Sequence, residues 1–209
     1  SASASTGAVV SSSLNDALGL ASAFVVSGAG VTTPAHSGTV NWTFTVDNAL
    51  TQYLSAGDNV TATYRITVTD TSNATSTQNV TVKINGANDA PTISVSAGST
   101  NTATLPETNG FLSASGSFTI NDIDRSNTVK AEVLSMTKTG VTTGVISSDA
   151  QLKAMLVISP AYPRAVLTSS EVADQLEWNF NSGSDSFDYL ATGEELTLNY
   201  VIRVTDSDN

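Results

Sequence analysis

Apolar and polar residues alternate along much of this chain, a pattern typical of strands that bury one face. Residues 40–46 show it clearly, with Val40, Trp42, Phe44 and Val46 on one face and polar residues between them. Turn-forming residues separate such segments. Strands are predicted over residues 40–46, 60–68, 80–84, 93–95, 118–120, 129–134 and 196–204.

Helical patterns are few. Residues 148–156 predict one short helix that begins at a cap formed by Ser148 or Asp149. Residues 13–18 repeat this pattern loosely near the start of the chain. The predicted fold class is therefore all-β, an antiparallel β-sandwich architecture with a short helical insertion.

One part of the chain is a copy of another. Trp42 recurs as Trp178 and Asp70 recurs as Asp206, each 136 residues later. Seven further residues recur at the same offset without a gap: Phe44, Tyr53, Leu54, Gly57, Tyr64, Ile66 and Val68. A repeat of this length indicates domain-sized modules in tandem.

The boundary between the copies is predicted at the turn-rich segment that ends in Pro91. The first unit then covers residues 1–87, a linker covers 88–91, and the second unit covers 92–209. Because Ser1 aligns with Thr137, the first copy has no counterpart of residues 92–136. The second copy has no counterpart of the strand at residues 78–84 and is expected to lack its last strand. These gaps favour a piece of a longer array.

The chain is acidic, with 19 Asp and Glu residues against 8 Lys and Arg, a net charge of −11. Such a surface repels nucleic acid and anionic membranes, so neither is an expected partner. No apolar run is long enough to cross a membrane. The chain has no Cys, which excludes disulfides and favours a bacterial or cytosolic origin.

No pattern predicts an enzyme. His36 is the only His, and it has no second His for zinc and no catalytic triad around it. Glu194 and Glu195 are adjacent and point to opposite strand faces, so they do not form a catalytic pair. No catalytic residue is assigned. Trp42 and Trp178 are predicted to be equivalent core residues, and the alternative is a sugar-stacking platform.

Three segments resemble VCBS repeats, which are Ig-like and cadherin-like domains found in tandem in large bacterial surface and secreted proteins, including RTX-type adhesins. Residues 64–93 read YRITVTDTSNATSTQNVTVKINGANDAPTI, residues 116–133 read GSFTINDIDRSNTVKAEV, and residues 187–209 read FDYLATGEELTLNYVIRVTDSDN. The resemblance covers most of residues 39–209. Residues 1–38 and 140–175 are less characteristic and are interpreted as a variable insertion.

The resemblance implies Ca²⁺ near the domain junction, held as in cadherins. Calcium requires six to eight oxygen ligands, which carboxylates, amides and backbone carbonyls supply. Alternation places Asp122 and Asp124 on one face of a strand. The alternative is that these residues only form turns at strand ends. The predicted metal ligands are Asn88, Asp89, Glu107, Asp122, Asp124, Asp206 and Asp208.

By the same resemblance, the chain is expected to be a structural extender of an extracellular bacterial adhesin or surface filament. Its expected partners are neighbouring repeats, with self-association through open strand edges. The alternative function is a ligand-binding module in which residues 140–175 contact a glycan or a protein. Exposed aromatic side chains on that segment would favour the alternative, and Tyr162 is the aromatic residue it offers.

Overall fold

The structure is a computed structural model that describes residues 2–5, 9–28 and 37–208. His36 lies outside the described residues. The chain forms two compact units, Ser1–Asn88 and Asp89–Asn209. Antiparallel sheets with two short α-helices make up the fold, so the predicted all-β class is confirmed.

The first unit contains two sheets and one α-helix. Its elements are β1 (Ala2–Ser5), α1 (Ser12–Gly19), β2 (Phe24–Gly28), β3 (Val40–Phe44), a 3₁₀ turn (Asn48–Leu50), β4 (Asn59–Thr69) and β5 (Thr75–Asn85). One sheet has the order β1-β4-β5, and the other pairs β2 with β3. The helix covers a small core with β4, formed by Leu14, Leu18, Leu54, Val60 and Ala62.

The second unit contains two larger sheets. Its elements are β6 (Thr92–Val95), β7 (Ser113–Asn121), β8 (Val129–Gly140), α2 (Asp149–Ala154), β9 (Leu156–Ser159), β10 (Ala165–Leu167), β11 (Ala173–Asn181) and β12 (Leu196–Thr205). The sheets have the orders β6-β7-β11-β9 and β10-β8-β12. One core joins residues of both sheets, including Ile120, Val129, Ile158, Leu167 and Leu176, which is a sandwich arrangement.

The repeat found in the sequence is also a repeat of strand pairing. Ser3 lies opposite Thr61 on β4, and Thr139 lies opposite Thr197 on β12, at the same offset. The Tyr64 hydroxyl donates to a carbonyl of α1, and the Tyr200 hydroxyl donates to a carbonyl of α2. Equal side chains at equal spacing therefore produce the same strand register and a similar contact between strand and helix, with Leu18 as acceptor in one unit and Leu152 in the other.

The helix predicted near residue 148 is confirmed, and so is its cap. The Ser148 hydroxyl accepts from the backbone of Gln151, and the Gln151 side chain accepts from the backbone of Ser148. This reciprocal pair is a capping box, which satisfies two backbone donors that the first helical turn leaves open. Ser11 caps α1 with the first of these two bonds, since its hydroxyl accepts from the backbone N–H of Leu14.

Residues 140–175, interpreted as a variable insertion, are built into both sheets and the core of the second unit. This segment supplies β9 and β10, which pair with β11 and β8 of the two sheets. It also places Leu156, Ile158 and Val166 in the core of the second unit. Strands β9 and β10 are only four and three residues long, which is too short for an alternating pattern to stand out in the sequence.

The two Trp residues are not equally buried. Trp178 is 7% exposed, as predicted, whereas Trp42 is 45% exposed and the prediction of a core position is wrong for it. Trp178 lies opposite Gly116 of β7 and donates to the carbonyl of Thr100. Residues 100 and 116 have no counterpart at the 136-residue offset, so no equivalent strand covers Trp42 among the described residues. Trp42 stacks on Phe24 instead, with ring centroids 5.4 Å apart.

Truncation of the two Trp side chains tests this difference. Trp178→Ala removes a buried ring and is expected to lower the free energy of unfolding by about 3–5 kcal/mol. Trp42→Ala removes a half-exposed ring and is the matched control, with a clearly smaller loss. Urea unfolding followed by circular dichroism measures both. Equal losses of unfolding free energy in the two variants would contradict the conclusion that Trp178 is a core residue and Trp42 is not.

Candidate functional site

Three chain segments meet at one end of the second unit. Strand β7 ends at Asn121, which pairs with Thr92 at the start of β6. Strand β12 ends at Thr205, which pairs with Lys130 near the start of β8. The segment before β6, the loop between β7 and β8, and the segment after β12 are therefore brought to the same end, and each carries Asp residues.

The loop after β7 buries its acids and exposes its apolar residue. Asp122 is 4% exposed and Asp124 is 1% exposed, whereas Ile123 between them is 47% exposed. The acids follow the strand instead of lying in it, but the alternation of sides continues, so both side chains point inward. A turn at the protein surface ordinarily exposes its acidic side chains to water. Here the acidic side chains are buried and the apolar one is exposed, which indicates that the carboxylates have a role inside the fold.

Backbone N–H groups hold one oxygen of each buried acid. The N–H of Asp124 donates to Oδ1 of Asp122 at 2.9 Å, and the N–H of Asp89 donates to Oδ2 of Asp124 at 2.7 Å. The N–H of Asp122 donates to the carbonyl of Val172 at 3.0 Å. The first of these bonds is the turn-forming bond of an Asp residue, so the turn interpretation accounts for part of the arrangement.

The other oxygen of each buried acid has no such role. Asp122 Oδ2 and Asp124 Oδ1 are buried and accept no hydrogen bond from any described residue. A buried polar atom without a partner is destabilising, and a buried charge without a partner is more so. Turn formation alone does not explain these two atoms, whereas a bound cation, a proton or an ordered water does.

Further carboxylates act on the buried pair. Burial raises the pKa of Asp122, and the negative charges of Asp206, Asp89 and Asp208 raise it further. Burial also raises the pKa of Asp124 to about 6, with added repulsion from Asp122, Asp89 and Asp208. The charges that act on the pair are thus all negative, and together they create a strongly cation-attracting region.

Asp206 and Asp208 supply the second turn of the cluster. Asp206 is buried, and its Oδ1 accepts from the N–H of Asp208 at 3.0 Å. Its counterpart in the first unit, Asp70, is exposed and accepts from the N–H groups of Ser72 and Ala74. The difference follows from the repeat, because no counterpart of the loop at 122–128 lies over Asp70 among the described residues.

One predicted ligand, Glu107, is placed differently. Glu107 lies beside Asp188. Burial raises the pKa of Glu107, and its hydrogen bond with Asp188 and the negative charge of Asp188 raise it further. Glu107 is not among the charges that act on Asp122 or Asp124. Asn88 is the last residue of the first unit, whereas Asp89 is the first residue of the second. The structure thus brings Asp89, Asp122, Asp124, Asp206 and Asp208 close together, whereas Glu107 lies elsewhere.

Sequence reasoning missed Asn127. It is a buried polar residue in the same loop, and its N–H donates to the carbonyl of Asp124 at 3.2 Å. An amide oxygen is also a suitable calcium ligand. Asn127 follows Asp124 by three residues, within the segment quoted for the resemblance, but a single Asn in so Asn-rich a chain carries little signal.

The carboxylates are close enough to repel one another, but they are not arranged as a finished metal site. Among the described residues, no three His, Cys, Asp or Glu side chains form a group ready to hold a metal ion. The donor set is nevertheless carboxylate and amide oxygen throughout, which suits calcium rather than a transition metal.

Comparison of the chain with protein-family models, with curated proteins and with solved structures finds no match. The resemblance to VCBS repeats therefore stays a prediction. None of the described helices has the length and apolar character needed to span a bilayer.

The raised pKa of Asp124 predicts how stability changes with pH in the metal-free protein. Between its ordinary value of 3.8 and the folded value of about 6, the folded state keeps a proton that the unfolded state has released. The stability from this group is complete below pH 3.8 and is lost as pH rises through 6. In chelator, the second unit is expected to melt at a higher temperature at pH 5 than at pH 7.

Asp124→Asn should flatten this dependence, because the amide does not ionise. Differential scanning calorimetry at several pH values compares it with the unchanged chain and with Asp70→Asn as the exposed control. An unchanged pH profile for Asp124→Asn would show that Asp124 is not the titrating group.

Proposed function

We propose that this chain is a structural extender of an extracellular bacterial adhesin or surface filament, and that Ca²⁺ binds the acidic end of its second unit. The single observation that carries the calcium proposal is the pair of buried oxygens without partners, Asp122 Oδ2 and Asp124 Oδ1. The tandem β-units and the resemblance to VCBS repeats support the extender role. The proposal implies that both units have an Ig-like, cadherin-like fold.

Asp122 and Asp124 are the proposed central ligands. Asp89, Asp206 and Asp208 supply the surrounding charge and further oxygens. A calcium ion takes six to eight oxygens, so backbone carbonyls and water complete the shell. Bound calcium would replace the repulsion among these carboxylates with attraction to a shared cation.

Calcium would also act on the chain next to the unit boundary. The N–H of Asp89 already donates to Asp124, so a cation on these two residues fixes the first residue of the second unit. Asn88 precedes it directly in the chain, and restraint of Asp89 restricts the backbone there. The proposed consequence is a chain that is flexible without calcium and stiff with it.

The location outside the cell fits this mechanism. Calcium sites of extracellular modules commonly have dissociation constants of about 10⁻⁴–10⁻³ M. A site of that strength is empty at cytosolic calcium and filled at the millimolar calcium outside. Neighbouring repeats of the same array are the proposed partners, and neither nucleic acid nor direct membrane insertion belongs to the proposal.

One observation favours the alternative of a ligand-binding module. Tyr162, on the segment at 140–175, is 66% exposed, and the ammonium of Lys130 lies 5.6 Å from its ring centroid. An exposed aromatic ring offers an apolar surface on which a sugar can stack. Glycan-array binding that Tyr162→Ala abolishes would support this function. Binding that survives in Tyr162→Ala would remove it.

Calcium addition to chelated protein tests the main proposal. The second unit is expected to melt at a higher temperature, because calcium binds the folded state alone and adds about 2.7 kcal/mol at 100 times the dissociation constant. The maximum dimension from small-angle X-ray scattering is expected to increase. Asp122→Ala with Asp124→Ala should abolish both responses.

Two control variants sharpen the result. Asp70→Asn changes the exposed counterpart of Asp206 and should leave the calcium response intact. Glu107→Gln should also leave it intact, since Glu107 lies beside Asp188 and not in the cluster. A melting temperature and a length that do not change from micromolar to ten-millimolar calcium would contradict the proposal.

A further inference from the structure

Two Asn-Gly dipeptides occur in the chain, Asn85-Gly86 and Asn109-Gly110. Asn is a thermolabile residue, because the backbone nitrogen of the next residue can attack its side-chain amide carbon. A glycine in that next position has no Cβ to hinder the approach. The two dipeptides share the same local chemistry, so their surroundings in the fold decide which of them reacts.

The first dipeptide is held by the strands around it. Asn85 is the last residue of β5 and pairs with Asn59 of β4. The N–H of Gly86 donates to the carbonyl of Asp58 at 2.9 Å. Attack by this nitrogen requires that the hydrogen bond and the end of the strand pair open first, and such local opening costs free energy.

Packing also explains why residue 86 is a glycine. A Cβ on Gly86 would lie 2.3 Å from the carbonyl oxygen of Ser55 and 2.4 Å from that of Leu54, which is closer than real Cβ atoms approach. The absence of a side chain therefore allows a close contact between backbone segments of the first unit.

The second dipeptide has neither kind of restraint. Asn109 and Gly110 are exposed, in the segment between β6 and β7. Among the hydrogen bonds of the described chain, none between backbone groups involves residues 103–111. The nitrogen of Gly110 therefore has no backbone acceptor to leave before it can turn toward the side chain of Asn109.

No structural requirement for glycine acts on Gly110. It is not among the described residues with a left-handed φ. A Cβ placed on it would have the hydroxyl of Thr108 as its nearest neighbour, at 4.0 Å, which is ordinary van der Waals contact. The glycine thus leaves the amide of Asn109 accessible without serving a turn or a close contact.

We propose that Asn109 is a site of spontaneous deamidation and that the fold protects Asn85 from the same reaction. The nitrogen of Gly110 bonds to Cγ of Asn109, the Cγ–Nδ2 bond breaks, and Nδ2 leaves as ammonia with the proton that the attacking nitrogen gives up. Water then opens the cyclic imide at one of its two carbonyls, which gives aspartate or isoaspartate. Water is the only co-reactant, and no oxidant or reductant takes part.

The reaction would change both charge and backbone. Each event replaces a neutral amide with a carboxylate, in a chain whose net charge is already −11. The isoaspartate form also lengthens the backbone by one carbon. Residue 109 is two positions from Glu107, which hydrogen-bonds Asp188, so the new charge arises near an existing pair of acids. The modification accumulates with the age of the molecule and does not depend on calcium.

Incubation of the folded full chain in water enriched in heavy oxygen tests the proposal. The heavy atom labels each carboxylate that forms during the incubation and distinguishes it from acids made later during digestion. Peptide mapping by mass spectrometry then gives the rate at each dipeptide. Conversion is expected to be at least about tenfold faster at Asn109 than at Asn85, because only Asn85 must first open a strand end.

Two controls separate the fold from the local sequence. In denaturant, both dipeptides are expected to react at comparable rates, since the restraint on Gly86 is then gone. Gly110→Ala is expected to slow conversion of Asn109 in the folded chain, because the added Cβ hinders the attack, and its surroundings have room for the methyl group. Circular dichroism confirms that this variant is folded.

Three results would overturn the proposal. The first is an Asn109 that stays intact in the folded chain over a time in which the denatured chain is converted. The second is an equal rate at Asn85 and Asn109 in the folded chain, which would show that the fold protects neither. The third is a ratio of the two rates in denaturant as large as in the folded chain, since flanking sequence rather than structure would then explain the difference.

Discussion

Burial of carboxylate groups is the constraint on which this account depends. A folded chain tolerates a buried charge only where a partner compensates for its lost hydration. The backbone N–H groups of Asp124 and Asp89 compensate for one oxygen of each buried acid and thereby tie the loop after β7 to the start of the second unit. The remaining oxygens need a proton, a cation or a water as a partner, and burial together with the neighbouring negative charges raises the pKa of both acids.

The two copies show how neighbours, rather than sequence alone, decide what a residue does. Asp206 is buried beside the acidic loop, whereas Asp70 is exposed in a satisfied turn. Trp178 is covered by the chain around Thr100, whereas Trp42 stacks on the surface. Each pair has the same side chain and a similar strand position. The elements that lie against them differ, and burial, pKa and proposed function differ with them.

Much of the fold was predictable because the sequence signals for it are local patterns or repeats. The alternation in β4 and β12, the cap at Ser148 and the 136-residue offset are local or repeated signals, and the structure contains each of them. Strands β9 and β10 escaped prediction because they are short. Strands β1, β2 and β11 were also not among the predicted strands. The exposure of Trp42 was missed because alternation defines a face of a strand but does not say what covers that face.

The sequence pattern identifies the acidic residues of the site, but it does not indicate whether their side chains are buried. Nothing in the letters Asp-Ile-Asp says that the acids turn inward and the Ile outward, since that depends on the packing of β6 and β12 around the loop. The placement of Glu107 beside Asp188 likewise depends on how distant segments meet. Long-range packing therefore determines which of the predicted ligands lie close to one another.

The central claim is that calcium binds the oxygens of Asp122 and Asp124, and nuclear magnetic resonance tests it most directly. The N–H groups of Asp89, Asp124 and Asp208 donate to carboxylates of the cluster, so their resonances report on it. The N–H groups of Ser72 and Ala74 donate to Asp70 and serve as internal controls. Calcium is expected to shift the first three resonances in one saturable process and to leave the two controls in place. Equal small shifts at all five, without saturation, would contradict it.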